Sequence, residues 1–232
     1  MIIEFIKSHY VLMILLFIAT IINFIWLFLN RKQIKMNNIF LIIVFSLFHT
    51  IIGVIFVSLF AYIESGFNKD NIGNMSIYGG IFFMPIIYLL YSLINKVKIS
   101  KCFDIFTISL ISTLFFARIN CLISGCCKGI YLFNSNFRFP YREAELIYYL
   151  IFIIIFIKDI YKGKTNGLVF PIYLLSYGLF RFIFEFFRES NSFNTYFHIA
   201  HIWSLISILI GSSFILFNKY RRGKTHEQIK EE

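Results

Sequence analysis

The chain has 232 residues, 59% of them hydrophobic and 20% aromatic, with a mean hydropathy of +0.76. A soluble domain of this length has too little interior for so much Phe and Ile, which excludes a globular enzyme and leaves a polytopic membrane protein. The formal charge of +10 does not signal nucleic-acid binding, because the cations sit between apolar runs, where they report topology.

Apolar runs of about bilayer-spanning length cover Val11 to Leu29, Ile39 to Tyr62, Ile77 to Ile94, Ile105 to Ser124, Tyr141 to Ile157, Gly167 to Phe187 and Ile199 to Phe217. They predict an all-α protein of about seven transmembrane helices. The first run reads as a retained helix, since no small-residue cleavage site follows it. The fifth is the least apolar, with Arg142, Glu143 and Glu145 in its first turns. Cations cluster after alternate runs: Arg31, Lys32 and Lys35; Lys96, Lys98 and Lys101; Lys158, Lys162 and Lys164; and Lys219, Arg221, Arg222 and Lys224. The positive-inside rule then places the amino terminus outside and the carboxyl terminus in the cytoplasm, as an odd number of spans requires. Residues 1–218 form one transmembrane domain, and 219–232 a charged cytoplasmic tail expected to be disordered.

The stretch Arg118-Ile119-Asn120-Cys121-Leu122-Ile123-Ser124-Gly125-Cys126-Cys127-Lys128-Gly129 departs from this apolar pattern. An arginine within a span costs about 2.5–3.5 kcal/mol on insertion scales and normally faces protein or a wet cavity. Arg181, Glu185 and Arg188 stand at i, i+4 and i+7 in the sixth run and so share a helix face. With Arg118 they carry net positive charge in the outer half of the membrane. Such a set is either a structural ion-pair network or a receptor for an anion, and arginine's planar donor fork suits phosphate. Glu145, about one turn inside the fifth run, is a candidate partner. Tyr78-Gly79-Gly80 opens the third run, where paired glycines permit close approach of a helix or a ligand.

Three cysteines, Cys121, Cys126 and Cys127, lie at the outer end of the fourth run, and His198 and His201 at the outer start of the seventh. A metal site built from them is conceivable, but C-x4-C-C lacks the paired C-x2-C spacing of structural zinc sites. A disulfide from Cys121 to Cys126 or Cys127 is the alternative. Cys102 reads as an inert thiol and His49 as a satisfied buried histidine. No metal or cofactor is expected.

Taken together, Tyr78-Gly79-Gly80, Arg118 through Gly125 to Gly129, Pro140 with Glu145, Tyr177-Gly178-x-x-Arg181-Phe182-x-x-Glu185-Phe186-Phe187-Arg188 and His201-Ile202-x-Ser204 resemble the prolipoprotein diacylglyceryl transferase family. The resemblance covers roughly Ile77 to Gly211. It implies a multi-pass enzyme of the bacterial cytoplasmic membrane. Such an enzyme moves a diacylglyceryl group from phosphatidylglycerol to the lipobox cysteine in the signal peptide of a preprolipoprotein, and glycerol phosphate leaves. Among membrane lipids, phosphatidylglycerol is thus the expected substrate. On this resemblance Arg118 and Arg181 hold the lipid phosphate, Glu185 orients Arg181, and Arg188 guides the headgroup. Gly129 lets the loop approach the site, Glu145 matches a family carboxylate, and Gly79, Gly80, Cys121 and Cys126 line the substrate region. Tyr78 stands where the family often has a histidine proposed as thiol base, Cys121 where it has asparagine, and Cys126 where it has an acid. His49 to Val54 also lacks the family's Arg-Ile-Gly-Tyr run. Two other readings remain at this point: a phospholipid-headgroup enzyme with another acceptor, in which Cys121 or Cys126 is itself a nucleophile, and a metal or anion transporter.

Overall fold

A computed structural model describes residues 2–68, 74–131, 137–189 and 198–231. Seven helices follow in order: α1 (Ile2–Leu29), α2 (Ile39–Glu64), α3 (Ile77–Ile94), α4 (Ile99–Ser124), α5 (Tyr141–Tyr161), α6 (Val169–Phe184) and α7 (Ile199–Glu231). The expectation of an all-α membrane protein with about seven helices holds. Six of them, all but α5, are long and apolar enough to cross a membrane by composition alone. α5 keeps its charges, yet its 21 residues rise about 31 Å, close to the thickness of a hydrocarbon core.

α4 is the central helix. Its residues Asp104 through Leu114 are buried without interruption, which suits a segment with no polar face. It packs against α1, α3, α5 and α6, while α2 lies against α1 and α3, and α7 against α6. Polar groups set the register between these helices. Trp26 Nε1 donates to the Ile105 carbonyl at 2.8 Å and Asn23 Nδ2 to Thr113 Oγ1 at 3.0 Å. His49 Nε2 and Tyr88 Oη are paired at 2.9 Å, so His49 is a partnered core residue, as its position suggested.

Two boundaries differ from the hydropathy reading. α4 begins at Ile99, ahead of the uninterrupted apolar run, because Asp104 finds partners inside the bundle. Its carboxylate accepts from the backbone N–H of Gly167 at 2.8 Å and of Val169 at 3.0 Å, and so caps the start of α6. This fixes α6, which carries Arg181, against α4, which carries Arg118. The charged tail, expected to be disordered, continues α7 as helix to Glu231; Lys, Arg, Glu and Gln are good helix formers.

Candidate active site at the junction of α4, α5 and α6

α4 ends, α5 begins and α6 ends at the same end of the bundle. Glu145, fully buried on α5, lies at the centre of their junction. Its Oε2 accepts from Arg118 Nη2 and, at 3.2 Å, from Arg181 Nη1. Its Oε1 accepts from the Tyr149 and Tyr177 hydroxyls, both at 2.9 Å. Glu185 forms a second node. It accepts from Tyr141 Oη at 2.9 Å and from Arg188 Nη1 at 2.9 Å, and its Oε2 lies 3.2 Å from Arg181 Nε. The Tyr141 ring lies between two guanidiniums, 5.7 Å from that of Arg118 and 5.3 Å from that of Arg181.

The sequence placed Arg181, Glu185 and Arg188 on one helical face. The α-helix instead stops at Phe184 and passes through a 3-10 turn, Glu185–Phe187, into extended chain at Arg188. The tighter turn still brings Arg188 back onto Glu185. Three guanidiniums thus meet two carboxylates by direct contact, an excess of one positive charge among these five groups. Arg118 and Arg181 are nearly fully buried; the Arg181 Nε–H is ion-paired with Glu185, whereas the Arg118 Nε–H lacks a hydrogen-bond acceptor among the described residues. An unsatisfied buried donor of this kind costs about 1–3 kcal/mol, more when charged, and so marks a place for an acceptor.

Arg188 is the arginine that faces solvent, with its side chain 33% exposed. It lines a cavity of about 480 Å³ together with Gly125, Cys127, Lys128, Glu185, Glu189 and His198. The loop after α4 is joined to the chain after α6. Gly129 and Arg188 form an antiparallel bridge, Ile130 N–H donates to the Phe187 carbonyl at 2.9 Å, and Glu189 N–H to the Lys128 carbonyl at 2.9 Å. Arg138 reinforces the junction: its Nη2 donates to both carboxylate oxygens of Glu189, at 2.7 Å each.

The glycines and Tyr78 have definite neighbours. A Cβ on Gly129 would come within 2.2 Å of the Phe139 carbonyl oxygen, so the loop closes only with glycine there. A Cβ on Gly79 would come within 2.1 Å of the Phe56 carbonyl oxygen, which makes Gly79 the close contact between α3 and α2; Gly80 has ordinary contacts with Val57, Leu110 and Leu114. Tyr78 is buried, with its hydroxyl 2.6 Å from Ser204 Oγ on α7 and its ring 6.5 Å from that of Tyr177. It borders the cluster without a hydrogen bond to the arginines.

Cys121, Cys126 and Cys127 are all free thiols, and their Sγ atoms lie within 4.8 Å of one another. No disulfide joins Cys121 to Cys126 or Cys127. Arg188 Nη2 lies 3.7 Å from Cys127 Sγ. Hydrogen bonds from the Cys121 and Cys126 thiols, with the Arg188 and Arg118 charges beyond them, hold the Cys127 thiol well below its ordinary range. The histidines stand apart from this cluster. His201 Nδ1 accepts from His198 N–H at 3.0 Å, and the His201 ring packs on Phe182 and Phe186.

Tyr141, Tyr149 and Tyr177 were not singled out as site residues by the sequence reading. The signal available was spacing, since Tyr149 follows Glu145 by four residues and Tyr177 precedes Arg181 by four.

The family model for prolipoprotein diacylglyceryl transferase matches residues 2–217. Phosphatidylglycerol–prolipoprotein diacylglyceryl transferase of Helicobacter pylori is 28% identical over 198 residues, 76% of this chain and 68% of that protein. The enzyme of the same name from Clostridium tetani is 29% identical over 169 residues, 66% of this chain and 68% of that protein.

Proposed function

Since the chain belongs to the prolipoprotein diacylglyceryl transferase family, we propose that it is a membrane transferase moving a diacylglyceryl group from phosphatidylglycerol to a cysteine thiol of a prolipoprotein. The bond formed is a thioether between the acceptor sulfur and the glyceryl carbon. The bond broken is that carbon's ester bond to phosphate, and glycerol phosphate leaves with the electron pair. The observation that carries this reading is the excess of guanidinium over carboxylate in the buried cluster next to the cavity, with the Arg118 Nε–H lacking an acceptor. A phosphodiester supplies both a balancing charge and an acceptor oxygen.

In this reading Arg188 and Lys128 receive the headgroup at the cavity, since both line it. Arg118 and Arg181 lie one layer deeper and stabilise the charge that builds on the departing phosphate. A positioned donor of this kind contributes about 2.7–4 kcal/mol, which favours the arginines over any single base as the main source of rate. Glu145 and Glu185 hold Arg118 and Arg181 in place before substrate arrives, so no reorganisation is needed during reaction. The alternating cations support a reading in which this end of the bundle lies at the outer face of the bacterial cytoplasmic membrane, where the lipobox cysteine of a prolipoprotein is presented.

The test is mass spectrometry of a lipobox peptide incubated with the purified protein in phosphatidylglycerol vesicles. The expected result is a peptide mass increased by one diacylglyceryl group, with glycerol phosphate released, and loss of both with Arg188→Ala and Arg181→Ala. A folded parent protein that modifies no peptide refutes the assignment.

A further inference from the structure

Cys121, Cys126 and Cys127 are not explained by the arginine cluster, and their convergence needs a particular backbone. α4 ends in Gly125, which is left-handed at φ 73°, and two residues later Cys127 is left-handed at φ 52° without being glycine. The two reversals bring Cys126 and Cys127 back over Cys121 in the last turn of α4. A non-glycine residue held there costs of order 1–3 kcal/mol and persists only where its surroundings over-determine it. Here the pairing of Lys128 with Glu189 and of Gly129 with Arg188 does so.

From this geometry we infer that the three cysteines bind one Zn²⁺ as thiolates and leave its fourth position open to the cavity, for the thiol of the acceptor. The inference rests on the transferase reading above. Three sulfurs within 4.8 Å of one another need to close only slightly to reach zinc–sulfur bonds of about 2.3 Å. A disulfide would use two of the sulfurs and leave the third unexplained. Soft thiolates select zinc or Cu(I) over hard cations, and three protein ligands with one open position is the arrangement of catalytic rather than structural zinc. Cys127 is the ligand that lines the cavity, so the open position faces Arg188 and Lys128. The Arg188 contact to Cys127 Sγ at 3.7 Å and the Ser124 hydroxyl at 3.4 Å from Cys126 Sγ supply the outer hydrogen bonds that orient metal-bound sulfur.

The consequence is chemical. A thiol that coordinates zinc is deprotonated outright, its proton passing to water. The acceptor is thereby presented as a thiolate beside the arginines, at a site where Tyr78 is turned away toward Ser204. The zinc-bound sulfur attacks the glyceryl carbon, the carbon–sulfur bond forms as the carbon–oxygen bond breaks, and glycerol phosphate carries off the electron pair. The thioether product is a weak ligand and leaves the metal. No oxidant or reductant is required.

The experiment uses the full chain, purified in detergent under reducing conditions. Elemental analysis is expected to find about one Zn²⁺ per chain, retained in Cys102→Ser and reduced roughly tenfold or more in each of Cys121→Ser, Cys126→Ser and Cys127→Ser. Co²⁺ substitution reports the coordination: a tetrahedral thiolate spectrum is expected, with the sulfur-to-cobalt band strengthening when a lipobox peptide is added and unchanged by the same peptide with its cysteine replaced by serine. Melting temperatures of the serine variants show whether the fold survives, and metal titration of wild type after chelation keeps the test independent of them. Absence of Zn²⁺ binding by reduced, folded wild type overturns the inference, as does binding of Cu(I) alone, or a cobalt spectrum indifferent to the peptide thiol. Full transfer activity in metal-free protein overturns the zinc role while leaving the transferase reading intact. A cobalt site that takes the peptide thiol in a protein without transfer activity supports the metal site and refutes the transferase reading alone.

Discussion

Replacing Glu145 by Gln removes the one carboxylate that two buried guanidiniums share. Glu145 is fully buried and accepts from Arg118, Arg181, Tyr149 and Tyr177. Glutamine keeps one oxygen for the tyrosines but turns an amide N–H₂ toward a guanidinium, and the cluster is left with three positive charges against one negative. Breaking a buried ion pair from one side costs about 3–5 kcal/mol, because the remaining charge is neither solvated nor compensated. At about 2–4 °C per kcal/mol for a chain of this size, Glu145→Gln should lower the melting temperature by roughly 6–20 °C. The measurement is thermal unfolding in detergent followed by the fluorescence of Trp26 and Trp203. A companion pair sharpens the cause. Glu145→Leu should be at least as damaging, and adding Arg118→Leu to it should recover a large part of the loss, since an apolar pair replaces an ion pair at little net cost. The rescued double variant should still fail to transfer lipid, because Arg118 is gone. A Glu145→Gln protein melting within about 2 °C of the parent, less than about 1 kcal/mol on the same scale, would refute the view that Glu145 is the charge centre of the site.

Asp104→Ala should remove the cap of α6 and lower stability by about 0.5–2 kcal/mol, with Asp104→Asn intermediate because it keeps one acceptor; equal melting of all three proteins would show that the cap carries no weight. Arg188→Ala should raise the KM for phosphatidylglycerol and lower kcat at least tenfold with little change in melting, since its side chain is one-third exposed; an unchanged KM would remove it from the headgroup site. Gly129→Ala should abolish transfer while leaving the helices folded, because the new Cβ meets the Phe139 carbonyl at 2.2 Å; full activity would mean the loop can shift without consequence. After chelation, Cys126, which is exposed, should react with a membrane-impermeant maleimide added to intact spheroplasts, while buried Cys102 should react only after denaturation; labelling of Cys126 that requires lysis would invert the topology.

Hydropathy is a local property, so the order of the helices and their number were legible in the apolar runs. The rule that charges inside a membrane need partners was equally local, and it drew attention to Arg118, Arg181, Glu145 and Glu185 before any contact was known. Which charge meets which is not local. Glu145 was one carboxylate in a weak fifth span, and only the packing of α4, α5 and α6 makes it the residue on which two arginines and two tyrosines converge. Asp104 likewise gave no sign that it caps α6, because its partners lie more than sixty residues away along the chain. The cysteines show the same division. C-x4-C-C carries no recognised metal spacing, since spacing rules assume ordinary turns between ligands. The left-handed backbone at Gly125 and Cys127 brings the three thiols together, and it is held by contacts with the chain after α6, which no reading along the sequence could supply.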